Sequence, residues 1–171
     1  MLDFYESHQE KIRMLSENMF KRVVASTPLV SIDLLVRDTQ ANILLGKRIN
    51  RPAKDSWFVP GGRVLKDETI EQAFTRILEA ELGMDKTSAC FKGIYQHFYE
   101  DNFSEENFTT HYIVMAYEVV FTADMALLPF AQHHDYRWFS ETDLLNNDEV
   151  HIHTKWYLQS NKQADNLITT F

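Results

Sequence analysis

The sequence predicts an α/β fold: a mixed sheet with helices packed on both faces. Two observations carry this. An apolar stripe at helical spacing runs through 69–82, and short apolar or β-branched runs come before and after it. Strands interleaved with helices, rather than segregated from them, favour a layered sandwich.

In chain order, 3–25 reads as an amphipathic helix, with Ile12, Leu15, Met19 and Val23 on one face. Pro28 closes it. The run LVSIDLLV at 29–36 is a first strand, 38–42 is turn-like, and 43–45 is a second strand. A short strand at 57–59 leads into Pro60, Gly61 and Gly62. The following helix, 69–82, carries an apolar stripe of Ile70, Ala73, Phe74, Ile77, Leu78 and Leu82, with Gly83 as C-cap. Strands are expected at 93–99 and 111–120 around a polar loop at 100–108, and again at 136–139. Ser140 can cap a short helix with Asp143 at its third position. A final helix is expected over 149–160.

The 171 residues fit one domain at roughly 100–200 residues each. The whole chain is therefore read as one domain, with 1–25 as an N-terminal helical extension. A net charge of −8 with 44% hydrophobic residues points to a soluble protein and away from nucleic acid or anionic membrane partners. The single cysteine, Cys90, excludes an internal disulfide framework and a multi-cysteine zinc site. No apolar run of about 20 residues appears, and the N-terminus lacks the apolar stretch of a signal peptide. A cytoplasmic location is the expectation.

The informative spacing begins at Gly62. Five residues lead to Glu68 and seven more to Arg76, followed by Glu81, Gly83 and Met84. This resembles the Nudix box, Gly-x5-Glu-x7-Arg-Glu-apolar-x-Glu-Glu-x-Gly-apolar. The resemblance implies an α/β/α sandwich that hydrolyses nucleoside diphosphates linked to another group, with divalent metal. Helix positions 77, 80 and 81 share one face, and carboxylates at all three would gather Mg²⁺ or Mn²⁺. This chain has Ile77, Ala80 and Glu81 there. Glu79 is no substitute, being about 200° around the helix from Glu81.

Further segments narrow the resemblance: STPLVSIDLL (26–35), LLGKRINRPA (44–53), WFVPGGRVLKDETI (57–70), YQHFYEDNF (95–103), FTTHY (108–112) and QHHDYRW (132–138). Together they look like the GDP-mannose mannosyl hydrolases, a Nudix-fold family that displaces at sugar carbon. The resemblance implies Mg²⁺-dependent release of GDP and free sugar from GDP-mannose, with other GDP-hexoses open, and inversion at the anomeric centre. It implies metal on the Gly61 carbonyl, Glu81 and Gln132, with Mn²⁺ also possible. Asp33 and Arg48 would act on the sugar and the leaving phosphate, and His133 would be the general base. Arg63, Arg76 and Tyr112 are candidate substrate contacts. Phe20, and more weakly Leu15, match a region that the resemblance implies contributes to the nucleotide site across a homodimer.

Each residue also has a structural reading. Arg63 and Arg76 could form an ion-pair set with Glu68. Asp33 in an apolar strand is either solvent-facing or costly to bury unpaired. Where the family has Asp-Asp after the Gln-His pair, this chain has His134 and Asp135, so the base stays open between His133 and His134. His97, His111, His151 and His153 carry no assignment. Two other activities stand beside the hydrolase: a conventional pyrophosphatase attacking phosphorus, and a nucleotide-sugar-binding domain without catalysis. The missing carboxylates oppose the first. Glu81, Arg48 and His133 oppose the second.

Overall fold

The computed structural model describes residues 15–85, 87–104, 106–121, 128–129 and 133–166, with 133 and 134 by backbone alone. In chain order the elements are α1 (Glu17–Ser26), β1 (Leu29–Arg37), β2 (Ile43–Arg48), β3 (Trp57–Phe58), β4 (Gly61–Arg63), α2 (Ile70–Leu82), β5 (Ala89–Tyr99), β6 (Thr110–Val120), β7 (His133–Phe139), α3 (Glu141–Asn146) and α4 (Ile152–Trp156).

The strands form one mixed sheet in the order β3-β2-β1-β6-β5, with β4 on β1 and β7 on β2. β1 lies parallel to β6, from Leu29 beside Tyr112 to Arg37 beside Val120. β5 returns antiparallel to β6. β1 and β2 pair only where Arg37 meets Ile43. Beyond that point they separate, and β4 takes the free edge of β1 by pairing Ser31, Ile32 and Asp33 with Arg63, Gly62 and Gly61. That split opens the floor of a pocket.

Alternation along β1 sorts its side chains between two layers. Ile32, Leu34 and Val36 pack against Ala73, Ile77 and Leu78 of α2. On the other face Leu35 joins Tyr95, Val114 and Ala116. A third cluster, including Ile43, Leu45, Trp57, Phe139 and Leu144, seats α3 on the β2–β7 end. Because both faces are covered, β1 is buried along nearly its whole length, as a parallel-paired strand in a layered fold requires.

Local chemistry accounts for the ends of α2. Thr69 and Gln72 form a reciprocal capping box, and Gly83 turns the chain with φ 65°, a left-handed conformation that favours glycine. Ser140 caps α3 by accepting from the Asp143 N–H at 3.1 Å.

Three expectations need correction. The last helix is far shorter than 149–160, because Glu149–His151 is drawn to the sheet edge instead. Trp57 N–H donates to the Glu149 carbonyl and His151 N–H to the Trp57 carbonyl, so the helix starts only at Ile152, capped by the His151 ring. The strand expected at 57–59 stops at Phe58, and Gly61–Arg63 just beyond it forms a further strand, β4. At the other end, α1 starts at Glu17, where the Ser16 hydroxyl accepts from Met19 N–H. Residues 3–14 of the expected 3–25 helix lie outside the described residues.

Candidate functional site

A cavity of about 270 Å³ opens where β1 and β2 part. β1 supplies Ser31 and Asp33 to it, β4 supplies Gly61 to Arg63, the end of β2 supplies Arg48, and the chain after it supplies Asn50 and Arg51. β5 and β6 add His97, Tyr99, Thr110 and Tyr112, while Phe20 and Phe103 sit at its margin.

Asp33 projects from β1 on the face opposite α2 and is only 7% exposed. Its Oδ2 accepts a 2.6 Å hydrogen bond from the Tyr157 hydroxyl. Its Oδ1 lies against Gly61, only 2.8 Å from where a Cβ would stand; the same Cβ would be 2.6 Å from the Ile32 carbonyl oxygen. Only glycine lets β4 come this close. Burial pushes the Asp33 carboxyl up to about 7; Tyr157 and Arg48 pull it down, and the Glu81 charge pushes it further up. Asp33 is thus neither solvent-facing nor unpaired.

Arg48 ends β2. Its guanidinium lies 5.5 Å from the centre of the Phe58 ring, and its buried Nε makes no hydrogen bond among the described residues. A half-buried arginine with an unused donor beside a cavity is equipped to meet an anion in a bidentate way. Its charge also reaches Tyr99, Tyr112 and His151, favouring the ionised phenols and the neutral imidazole.

Arg63 and Arg76 take different places. Arg76 forms a two-pronged ion pair with Glu68, Nε to Oε1 at 2.6 Å and Nη2 to Oε2 at 2.8 Å, and donates to the Arg63 carbonyl. Glu68 also accepts from Leu65 N–H, so this set fastens the loop between β4 and α2. Arg76 does not line the cavity. Arg63 does: its guanidinium stacks 4.1 Å from the Phe20 ring centre, and Phe20 contacts Phe103 at 4.7 Å. Tyr112 lines the same cavity, with its hydroxyl held protonated chiefly by burial. Leu15 is half exposed and does not line the cavity.

The helix face of the box carries one carboxylate. Ile77 is 1% exposed and packs against Gly62, with its Cγ1 3.1 Å from where a Cβ there would stand. Ala80 faces solvent. Glu81 is buried, outside the cavity lining but close enough to raise the Asp33 carboxyl. Gln132 lies outside the described residues. His133 heads β7 directly opposite Arg48 in the strand register, which brings its backbone to the edge of the cavity.

Sequence reasoning missed a block of imidazoles and phenols behind Asp33. Tyr157 hydroxyl sits 3.2 Å from His97 Nε2. The His97 ring stacks on His153 at 4.2 Å, 13° from parallel, and His151 contacts His153 at 4.8 Å. Burial leads in lowering all three imidazoles, to about 2 for His97, about 3 for His153 and about 4 for His151. They are neutral at pH 7. One signal was available: Tyr95, His97 and Tyr99 alternate, which places all three on one face of a strand.

The NUDIX domain model matches residues 27–159. "Low-salt glycan biosynthesis protein Agl8" of Haloferax volcanii is 40% identical over 110 residues, which is 64% of this chain and 70% of that protein. An ADP-ribose pyrophosphatase of Methanocaldococcus jannaschii is 35% identical over 68 residues, 40% of each chain. Among solved structures, the MutT protein of Methanosarcina mazei Go1 superposes with a TM-score of 0.62 at 20% identity, covering 77% of this chain and 91% of that one. This last likeness concerns the fold alone. Given a family match across most of its length, this protein belongs to the Nudix hydrolases, a family that generally works with divalent metals.

Proposed function

We propose that this chain hydrolyses a GDP-hexose, GDP-mannose first, at the anomeric carbon to give GDP and free sugar with inversion. One observation carries the reading. The helix face that in the Nudix box would gather carboxylates has a core isoleucine, an exposed alanine and one glutamate, whereas Asp33 and Arg48 share a cavity on the other side of β1.

The chemistry follows from those residues. Water forms a bond to the anomeric carbon as the bond from that carbon to the bridging phosphate oxygen breaks, and the electron pair leaves with GDP. His133 takes the water proton, a task suited to imidazole near neutrality. Asp33 faces the positive charge that grows on the sugar. Arg48, with its unused donor, binds the terminal phosphate and stabilises the departing charge. Arg63, Tyr112 and the Phe20 ring bind the nucleotide part of the substrate. Leu15 and Phe20 would complete a nucleotide site in a homodimer. Arg76 is proposed to act from a distance, by holding the loop that carries Arg63.

The oxygen donors around Gly61 fit a hard divalent cation. Buried Glu81 lies close enough to Asp33 for the two carboxylates to repel, and such a pair is relieved by a cation. Glu81, the Gly61 carbonyl and Gln132 are the proposed holders of Mg²⁺, with Mn²⁺ as a substitute. When bound, the ion supplies Lewis acidity to the diphosphate.

A second reading has one specific support: the partly matching relative from Methanocaldococcus jannaschii bears the name ADP-ribose pyrophosphatase. Attack at phosphorus would give GMP and a sugar phosphate. Hydrolysis of GDP-mannose with Mg²⁺ in ¹⁸O-water separates the two. Label in mannose is the expected result; label in a phosphate would overturn attack at carbon, and binding without turnover would leave a non-catalytic domain.

A further inference from the structure

We propose that Tyr157 and His97 are positioning residues for Asp33, fixing one carboxylate oxygen so that the other is aimed at the cavity. The proposal rests on the reading above that Asp33 faces the reacting sugar. It concerns residues to which neither the box nor the resemblance gives a role.

The geometry is a chain of three side chains from three elements. Tyr157 follows α4, His97 lies in β5 and Asp33 in β1. With Asp33 ionised, as its proposed role requires, the phenol's one proton is used in the 2.6 Å contact with Asp33 Oδ2. Its oxygen must then accept from His97, so His97 Nε2 carries the hydrogen across the 3.2 Å contact. That tautomer leaves the imidazole neutral, in keeping with its burial at 2% exposure. With Oδ2 tied, the carboxylate cannot rotate freely, and Oδ1 is held beside Gly61 at the cavity wall.

The relay is itself braced. Tyr157 meets the Tyr95 ring edge-on at 4.8 Å, and His97 is stacked on His153. Past α4 the chain runs back along β5, where Asp165 N–H donates to the Ile94 carbonyl and Asp165 Oδ2 accepts from Gln96 N–H. An anionic carboxylate in the sheet interior gains most from a donor that needs no reorganisation when charge develops nearby.

The test is steady-state kinetics on the full chain with Mg²⁺ and GDP-mannose, in a double-mutant cycle. Tyr157→Phe should lower kcat about 10–100-fold with KM nearly unchanged, and should cost little further in an Asp33→Asn background. His97→Gln, whose amide nitrogen can reach the Nε2 position, should keep most of the activity that His97→Leu loses. A Tyr157→Phe effect equal in both backgrounds, or one confined to KM, would overturn the positioning role. Wild-type release of GMP would overturn attack at carbon while leaving the cycle readable on that product. No turnover of GDP-mannose at all would sink both.

Discussion

The two sides of β1 differ in kind. The side facing α2 is a packed apolar layer in which Ile77 fills the space over Gly62 and Glu81 is the only carboxylate of the three box positions. The opposite side holds a buried carboxylate, a guanidinium with an unused donor, three neutral imidazoles and several phenols around or behind one cavity. The first has the makings of a scaffold with one anchoring point for a cation. The second has groups that can orient, donate and accept. The contrast teaches that a box can keep its structural parts, namely Gly62, the Glu68–Arg76 clamp and the Gly83 cap, while the polar machinery is concentrated elsewhere.

The largest expected effect breaks the comparison from the polar side. His133→Gln should lower kcat by roughly 10²–10⁴, as for loss of a general base, while Mg²⁺ affinity measured by calorimetry scarcely moves. Near-normal turnover would transfer the role to His134.

The next largest effect is expected on the apolar side. Ile77→Glu should destabilise the fold by about 3–5 kcal/mol in urea unfolding, since a charge would be placed unpaired in the core. It should not create pyrophosphatase activity. A stable variant releasing GMP would show that the missing carboxylate alone separates the two chemistries.

Acid should act more gently, and with opposing signs on the polar side. In metal-free protein taken from pH 7 to 5.5, His97, His153 and His151 stay neutral in the fold, held at about 2, about 3 and about 4. The unfolded chain takes up protons at its ordinary histidines near 6.5, so each costs about 1 kcal/mol of stability as pH falls. Asp33 runs the other way. Its carboxyl, raised to about 7, binds a proton in the fold before the unfolded chain does, and returns about 1 kcal/mol over the same range. The net loss should be about 2 kcal/mol and should grow in Asp33→Asn. A wild type that gains stability over this range would show that the imidazoles are protonated in the fold.

The smallest effect is expected at Ala80→Glu. The position is exposed, so unfolding free energy should stay within about 0.5 kcal/mol of wild type. A larger loss would mean that this face is covered in the working protein.

Much of the fold was legible from local rules. The stripe through Ala73, Ile77, Leu78 and Leu82 fixes which face of α2 is buried, and Thr69 and Gly83 mark its ends by backbone requirements that few other residues meet. The alternation in LVSIDLLV was also readable, including the anomaly of Asp33. What local rules could not show was the partner. Tyr157 is far from Asp33 in sequence, and their meeting depends on α4 being cut short when Glu149–His151 pairs with Trp57.

The sequence by itself determined the fold family and the absence of two carboxylates from the box helix, because spacing along a helix fixes which side chains share a face. Only the tertiary structure decided that Arg76 clamps a loop while Arg63 lines the cavity, and that His97, His153 and Tyr157 stand behind Asp33. Those are long-range meetings, set by strand register and by the parting of β1 from β2, and hydrophobic periodicity carries no information about which polar groups will meet across a sheet.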